Sequence, residues 1–171
     1  GSDKSIFNRD SFIPWNRSEK LKIVTHHWRA NWNKGFSIYT KLDQLLEDSY
    51  WNSKIEFTYI GNIPDNFKFK NSNHVLPLSR KKLAESIKKN HLYLTASLNE
   101  PSGNHHIEAA QCGLPVLYID SGGIPEYCNG YGVNFNEYNF EEKLIEVIEN
   151  YEIYINQIKN YPFSSEKMSK D

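Results

Sequence analysis

The sequence predicts a three-layer α/β domain with about six parallel strands, and three observations predict it. Strand-like runs and helical stripes alternate from residue 20 to residue 150, as strand–helix–strand crossovers require. Runs such as Val116-Leu117-Tyr118-Ile119 are apolar on both faces, the composition of a strand covered by helices on each side. The length, 171 residues, suits one such domain with a real core and is short for two.

The elements follow in order. Gly1-Ser2 reads as a cleavage scar and the rest of residues 1–19 as an irregular interdomain lead-in. Lys22 to His27 is the first strand. A helix is expected from Lys34 to Glu47, with Phe36, Tyr39, Leu42 and Leu46 on one stripe. Ile55 to Ile60 is the second strand, closed by Gly61-Asn62, and His74 to Leu78 a short third. Ser79 is placed to cap a helix through Lys89, with Leu83 and Ile87 inward. Leu92 to Ala96 forms the fourth strand and leads to a glycine-bearing turn and a helix that stops at Gly113-Leu114-Pro115. Val116 to Ile119 is the fifth strand, and Gly130 to Phe135 contains the sixth. A last helix begins near Asn139, carries Phe140, Leu144, Val147, Ile148 and Tyr151 at helical spacing, and is interrupted by Pro162. Ser164 or Ser165 would cap one more, cut off at Asp171. Residues 20–150 are thus expected to be the binding domain, and 151–171 truncated C-terminal helices.

Composition excludes several function classes. Lys plus Arg is 20 and Asp plus Glu 21, a net charge of −1 with no Lys/Arg stripe, which argues against a nucleic-acid partner. No apolar run approaches the roughly 20 residues that cross a bilayer, and no signal-peptide pattern opens the chain. Cys112 and Cys128 fit no metal or redox spacing and read as reduced thiols of a cytoplasmic protein. No G-x-G-x-x-G follows the first strand and no P-loop appears, which disfavours a dinucleotide oxidoreductase and a P-loop NTPase. Aromatics reach 14%, so some must be exposed, as on a domain excised from a partner surface.

Three segments after strand ends carry candidate chemistry. Glu100-Pro101-Ser102-Gly103-Asn104-His105-His106-Ile107-Glu108 sets two carboxylates around a turn and a helix N-terminus, where free N–H groups and the helix dipole favour an anion. Arg29-Ala30-Asn31-Trp32-Asn33-Lys34-Gly35 offers a guanidinium fork and a compact ammonium for a diphosphate. Asp120-Ser121-Gly122-Gly123-Ile124-Pro125-Glu126 has paired glycines that suit close backbone approach, and a proline fit for a helix's first turn. Plain alternatives stand beside each: a solvated Glu100, a Glu108 serving only the helix dipole, two surface cations, an ordinary turn. The pairs His26-His27 and His105-His106 follow or end strands, and His105 is the one best placed to meet a phosphate; a metal site would need three or more ligands. No nucleophile–base pair points to covalent catalysis.

These segments, with Ala109-Ala110 and Cys112-Gly113-Leu114-Pro115-Val116, resemble the retaining glycosyltransferases of the GT-B fold, in the group that includes bacterial mannosyl- and glucosyltransferases of surface-polysaccharide biosynthesis. The resemblance covers roughly residues 20 to 150 and implies a Rossmann-like domain, the C-terminal half of a two-domain enzyme. It implies that Glu108 holds ribose hydroxyls and that Glu100, the catalytic position, holds a hydroxyl of the donor sugar. Arg29 and Lys34 would hold the diphosphate, with N–H groups near Gly103, Asn104 and His105. The implied reaction transfers a hexose with retention from an NDP-sugar, UDP or GDP foremost, to a glycan or lipid-linked acceptor seated on an N-terminal domain. No metal or other cofactor is implied, and the setting would be the cytoplasm, with room for peripheral contact of the intact protein with the inner membrane face. This chain alone is expected to bind nucleotide without transfer. Trp28 stands where the family usually has Gly, and Pro101-Ser102-Gly103 where Gly-Phe-Gly is commoner. Two readings compete, a GT-B sugar-nucleotide epimerase and a non-catalytic sugar-nucleotide-binding module; a flavodoxin-like domain would leave Glu108 without a role.

Overall fold

The computed structural model describes residues 3–100 and 104–163. Its elements are β1 (Leu21–His27), a 3-10 turn (Trp32–Lys34), α1 (Phe36–Leu45), α2 (Ser49–Lys54), β2 (Ile55–Gly61), β3 (Asn73–Val75), α3 (Arg80–Lys88), β4 (Leu92–Thr95), α4 (His105–Gln111), β5 (Val116–Ile119), α5 (Ile124–Cys128), β6 (Gly132–Phe135), α6 (Phe140–Glu149) and α7 (Tyr151–Ile158). The six strands form one parallel sheet in the order β3-β2-β1-β4-β5-β6. The fold is therefore open, Rossmann-like α/β, and the strand order reverses between β1 and β4, where such sheets bind ligands beyond their carboxyl ends.

The central strands explain themselves physically. Every residue of β4 and β5 is buried, so both faces must be apolar or hydrogen-bonded. Tyr39 of α1 is fully buried and its hydroxyl accepts the Ala96 N–H at 3.2 Å. Along β1, side-chain alternation sends Thr25 and His27 toward Tyr39 and sends His26 toward α4. The lead-in is irregular yet packed: Phe7 and Trp15 are buried, and Arg17 forms a two-pronged ion pair with Glu152, both bonds 2.7 Å. Cys112 and Cys128 are buried free thiols, and burial pushes both upward, Cys112 to about 12. Among the described residues no helix is long and apolar enough to cross a membrane.

Several expectations need correction. The helix foreseen from Lys34 begins at Phe36, because Gly35 turns left-handed (φ +116°) after the 3-10 turn. Helix α2 was not expected; its six residues bury only Trp51 and show no periodic stripe. Strand β3 stops at Val75 rather than Leu78, since Leu76 is 71% exposed and Pro77 has no N–H for a ladder. Ser79 occupies the cap position of α3, but its hydroxyl makes no cap bond. The last long helix is two, α6 and α7, broken at Asn150, whose side chain donates to the Glu146 carbonyl at 3.0 Å. The helix proposed after Ser164 or Ser165 lies outside the described residues.

Candidate functional site

A cleft of about 500 Å³ opens at the sheet's switch point. Its lining comes from the ends of β1 and β2 (His26, His27, Trp28, Arg29, Lys34, Ile60, Gly61), from Pro77 to Arg80 with Leu83, and from Glu100, His105 and Glu108. The volume lies within the usual range for small-molecule sites. Its lining combines apolar side chains (Trp28, Ile60, Pro77, Leu78 and Leu83) with charged ones (Arg29, Lys34, Arg80, Glu100 and Glu108).

Three loops meet beside the cleft, each hydrogen-bonded to another, although the loop of Ser121 to Gly123 lines it with no residue. The Leu98 N–H donates to the Asn33 carbonyl at 2.7 Å, and the Gly123 N–H to the Glu100 carbonyl at 2.7 Å. The Asn99 N–H donates to Ser121 Oγ at 2.9 Å, with Asn99 itself left-handed (φ +56°). Glycine is required at two of these joints. A Cβ on Gly122 (φ +58°) would lie 2.4 Å from the Glu100 carbonyl, and one on Gly35 would lie 2.7 Å from the Ala96 Cβ. The paired glycines thus meet the chain's own Glu100 loop.

Within this frame the candidate residues fall into two pairs. Lys34 Nζ lies 3.0 Å from Glu100 Oε2, and the same oxygen accepts Ser97 Oγ–H at 3.0 Å. His26 Nε2 lies 3.1 Å from Glu108 Oε2. Arg29 is exposed on the cleft wall, and Asn104 sits at the start of α4, its carbonyl accepting the Glu108 N–H at 2.8 Å. His105 faces the cleft with Nε2 2.8 Å from Thr95 Oγ1. Gly103 lies outside the described residues, as do Pro101 and Ser102. Trp28 is 72% exposed at the rim, its carbonyl accepting Asn62 Nδ2–H at 2.7 Å, so it walls the cleft without closing it.

The two histidine pairs do converge. The His105 ring stands 4.9 Å from that of His27 and 4.8 Å from that of His106. Three of the rings have a partner: His27 Nε2 lies 2.6 Å from the Tyr39 hydroxyl, His26 Nδ1 3.0 Å from the Tyr93 hydroxyl and His105 Nε2 2.8 Å from Thr95 Oγ1, whereas both ring nitrogens of His106 are buried without a hydrogen-bond partner among the described residues. Among the described residues no group of three or more His, Cys, Asp or Glu is arranged to hold a metal ion. Burial holds His27 and His105 well below the ordinary imidazole range, and the neighbouring histidines add to it. Burial likewise depresses His106 to about 4, although Glu100 acts in the opposite sense.

The sequence reading had no role for the wall from Pro77 to Leu83, for Ser97 or for Tyr93. The wall follows the end of β3, so the rule that selected the other loops would have selected it too.

Comparison with known proteins gives three further findings. A family model described as glycosyl transferases group 1 matches residues 8–162. No curated sequence matches significantly. Solved structures share the fold: the C-terminal domain of the group 1 family protein LpcC from Francisella tularensis (TM-score 0.68, 16% identity, 94% of each chain covered), HepE of Anabaena solved with UDP-glucose (0.66, 16%, 83% of this chain and 43% of that one), and TarM (0.62, 18%, 96% and 36%). This chain spans less than half the length of HepE and of TarM.

Proposed function

Because the chain belongs to the glycosyl transferases group 1 family, we propose that it is the nucleotide-sugar-binding half of a retaining hexosyltransferase that needs no metal. The observation that carries this reading is the meeting of the carboxylates Glu100 and Glu108 with the cations Arg29 and Lys34 in one cleft at the switch point. The apolar side chains of the lining suit a flat base, Glu108 the ribose hydroxyls, Arg29 and Lys34 the diphosphate, and Glu100 a hydroxyl of the sugar. During transfer, Lys34 and Arg29 offset the charge that grows on the departing diphosphate, so stabilisation is strongest in the transition state. The bound UDP-glucose of HepE supports a UDP-sugar as the first donor to try. Acceptor binding is assigned to a further domain, which fits a chain that matches nearly all of the LpcC C-terminal domain and under half of HepE. The acceptor is taken to be a glycan or lipid-linked saccharide.

The test is a calorimetric titration of this chain with UDP, GDP and ADP and their monophosphates, with and without EDTA. The expected result is binding of one diphosphate over its monophosphate, unchanged by EDTA, with no measurable transfer. Binding abolished by EDTA would overturn the metal-independent reading, and turnover by this chain alone would overturn its assignment as a half.

A further inference from the structure

We infer that His26 is a positioning residue that holds Glu108 in its ligand-facing orientation, itself locked into one tautomer by Tyr93. The role assigned to Glu108 rests on the reading above; the His26–Glu108 arrangement itself does not.

The argument is a proton count. Tyr93 is fully buried, and its hydroxyl receives the backbone N–H of His26 at 3.3 Å. Burial raises Tyr93 well above the ordinary phenol range, so the hydroxyl keeps its proton and must place it. The nearest acceptor is His26 Nδ1 at 3.0 Å, closer than the His26 carbonyl at 3.4 Å. An Nδ1 that accepts carries no proton, so the ring proton sits on Nε2. That nitrogen faces Glu108 Oε2 at 3.1 Å and donates to it. Each group has its partner: the Tyr93 hydroxyl donates to Nδ1, and Nε2–H donates to Glu108.

The consequence lies in what Glu108 is spared. Lys34, Arg29 and Arg80 line the same cleft, and a free carboxylate there would turn toward a cation. A neutral donor fixes Oε2 without cancelling the charge, leaving Oε1 with full acceptor strength for a hydroxyl. The side chains of His26 and Glu108 are only 10% and 14% exposed, so water competes little for that bond.

Gln and Asn separate the two ends of the ring. In His26→Gln the amide reaches the place of Nε2 and keeps the donor to Glu108; in His26→Asn it reaches only the place of Nδ1. The probes are UDP, GDP and ADP and their 2′,3′-dideoxy counterparts, titrated into wild type, H26Q, H26N and H26A, with thermal unfolding as the folding control. Wild type should prefer the ribonucleotide by about tenfold, H26N and H26A should lose that preference, and H26Q should keep most of it. Equal preference in wild type and H26N overturns the role of His26 and leaves the ribose reading intact. No preference in wild type overturns the ribose reading itself. Independently of any ligand, 15N spectra should show His26 protonated at Nε2, with that signal shifting in E108Q; protonation at Nδ1 overturns the tautomer lock.

Discussion

The two carboxylates of the cleft occupy opposite physical settings. Glu100 stands on a loop, behind a left-handed Asn99, and is paired with the cation Lys34. Glu108 stands on helix α4, its Oε2 3.1 Å from Nε2 of His26, the donor inferred above. A cation pair draws down the charge of its carboxylate but can be surrendered when a stronger anion arrives. A neutral donor leaves the charge intact and fixes only direction. Under the proposed function, Glu100 would be the residue that exchanges partners during the reaction and Glu108 the one that holds a ligand in place.

Removing either carboxylate breaks the comparison at its ends. If the proposed function holds, Glu100→Ala in the proposed full-length enzyme should lower the transfer rate by about 10²- to 10³-fold with little loss of nucleoside-diphosphate affinity, checked by kcat against the Kd of the nucleotide. Glu108→Ala should do the reverse, weakening nucleoside-diphosphate binding by roughly ten- to a hundredfold in calorimetry. Equal effects of both on affinity would erase the distinction.

Acid should act on the cluster of buried histidines. His27, His105 and His106 are depressed when folded, so the unfolded chain binds more protons below about pH 6.5. Stability from these groups is full above that pH and is lost as pH falls toward their folded values, by up to about 1.4 kcal/mol per pH unit for each. Urea unfolding between pH 7 and 5 measures the slope, and His106→Leu should flatten it. The smallest effect sharpens the Glu100 side: Ser97→Ala removes one bond from Glu100 Oε2 and should lower turnover about threefold.

Much of the frame was legible because it depends on local pattern. Apolar runs and alternation located all six strands, and the crossover rule made them parallel. What escaped had a common cause. The stripe of Phe140, Leu144, Val147 and Tyr151 runs on through the break at Asn150, because apolar spacing does not register one non-helical residue. Helix α2 buries a single residue and so has no stripe to find. In the site, the sequence placed Arg29, Lys34 and Glu100 after strands and Glu108 on the following helix, and all four line one cleft. It did not show that Lys34 meets Glu100, across two loops whose approach is set by Gly35 and Gly122, or that His26 of β1 meets Glu108 of α4.

That loop approach also determines where the molecule can be remodelled. The segments around Asn33, Leu98–Glu100 and Ser121–Gly123 share backbone bonds, so an insertion in one displaces the others and the charged groups with them. The wall from Pro77 to Leu83 enters none of those joints. A library seeking altered nucleotide preference should therefore vary that wall alone, and a chimera should exchange the three joined loops only as a set.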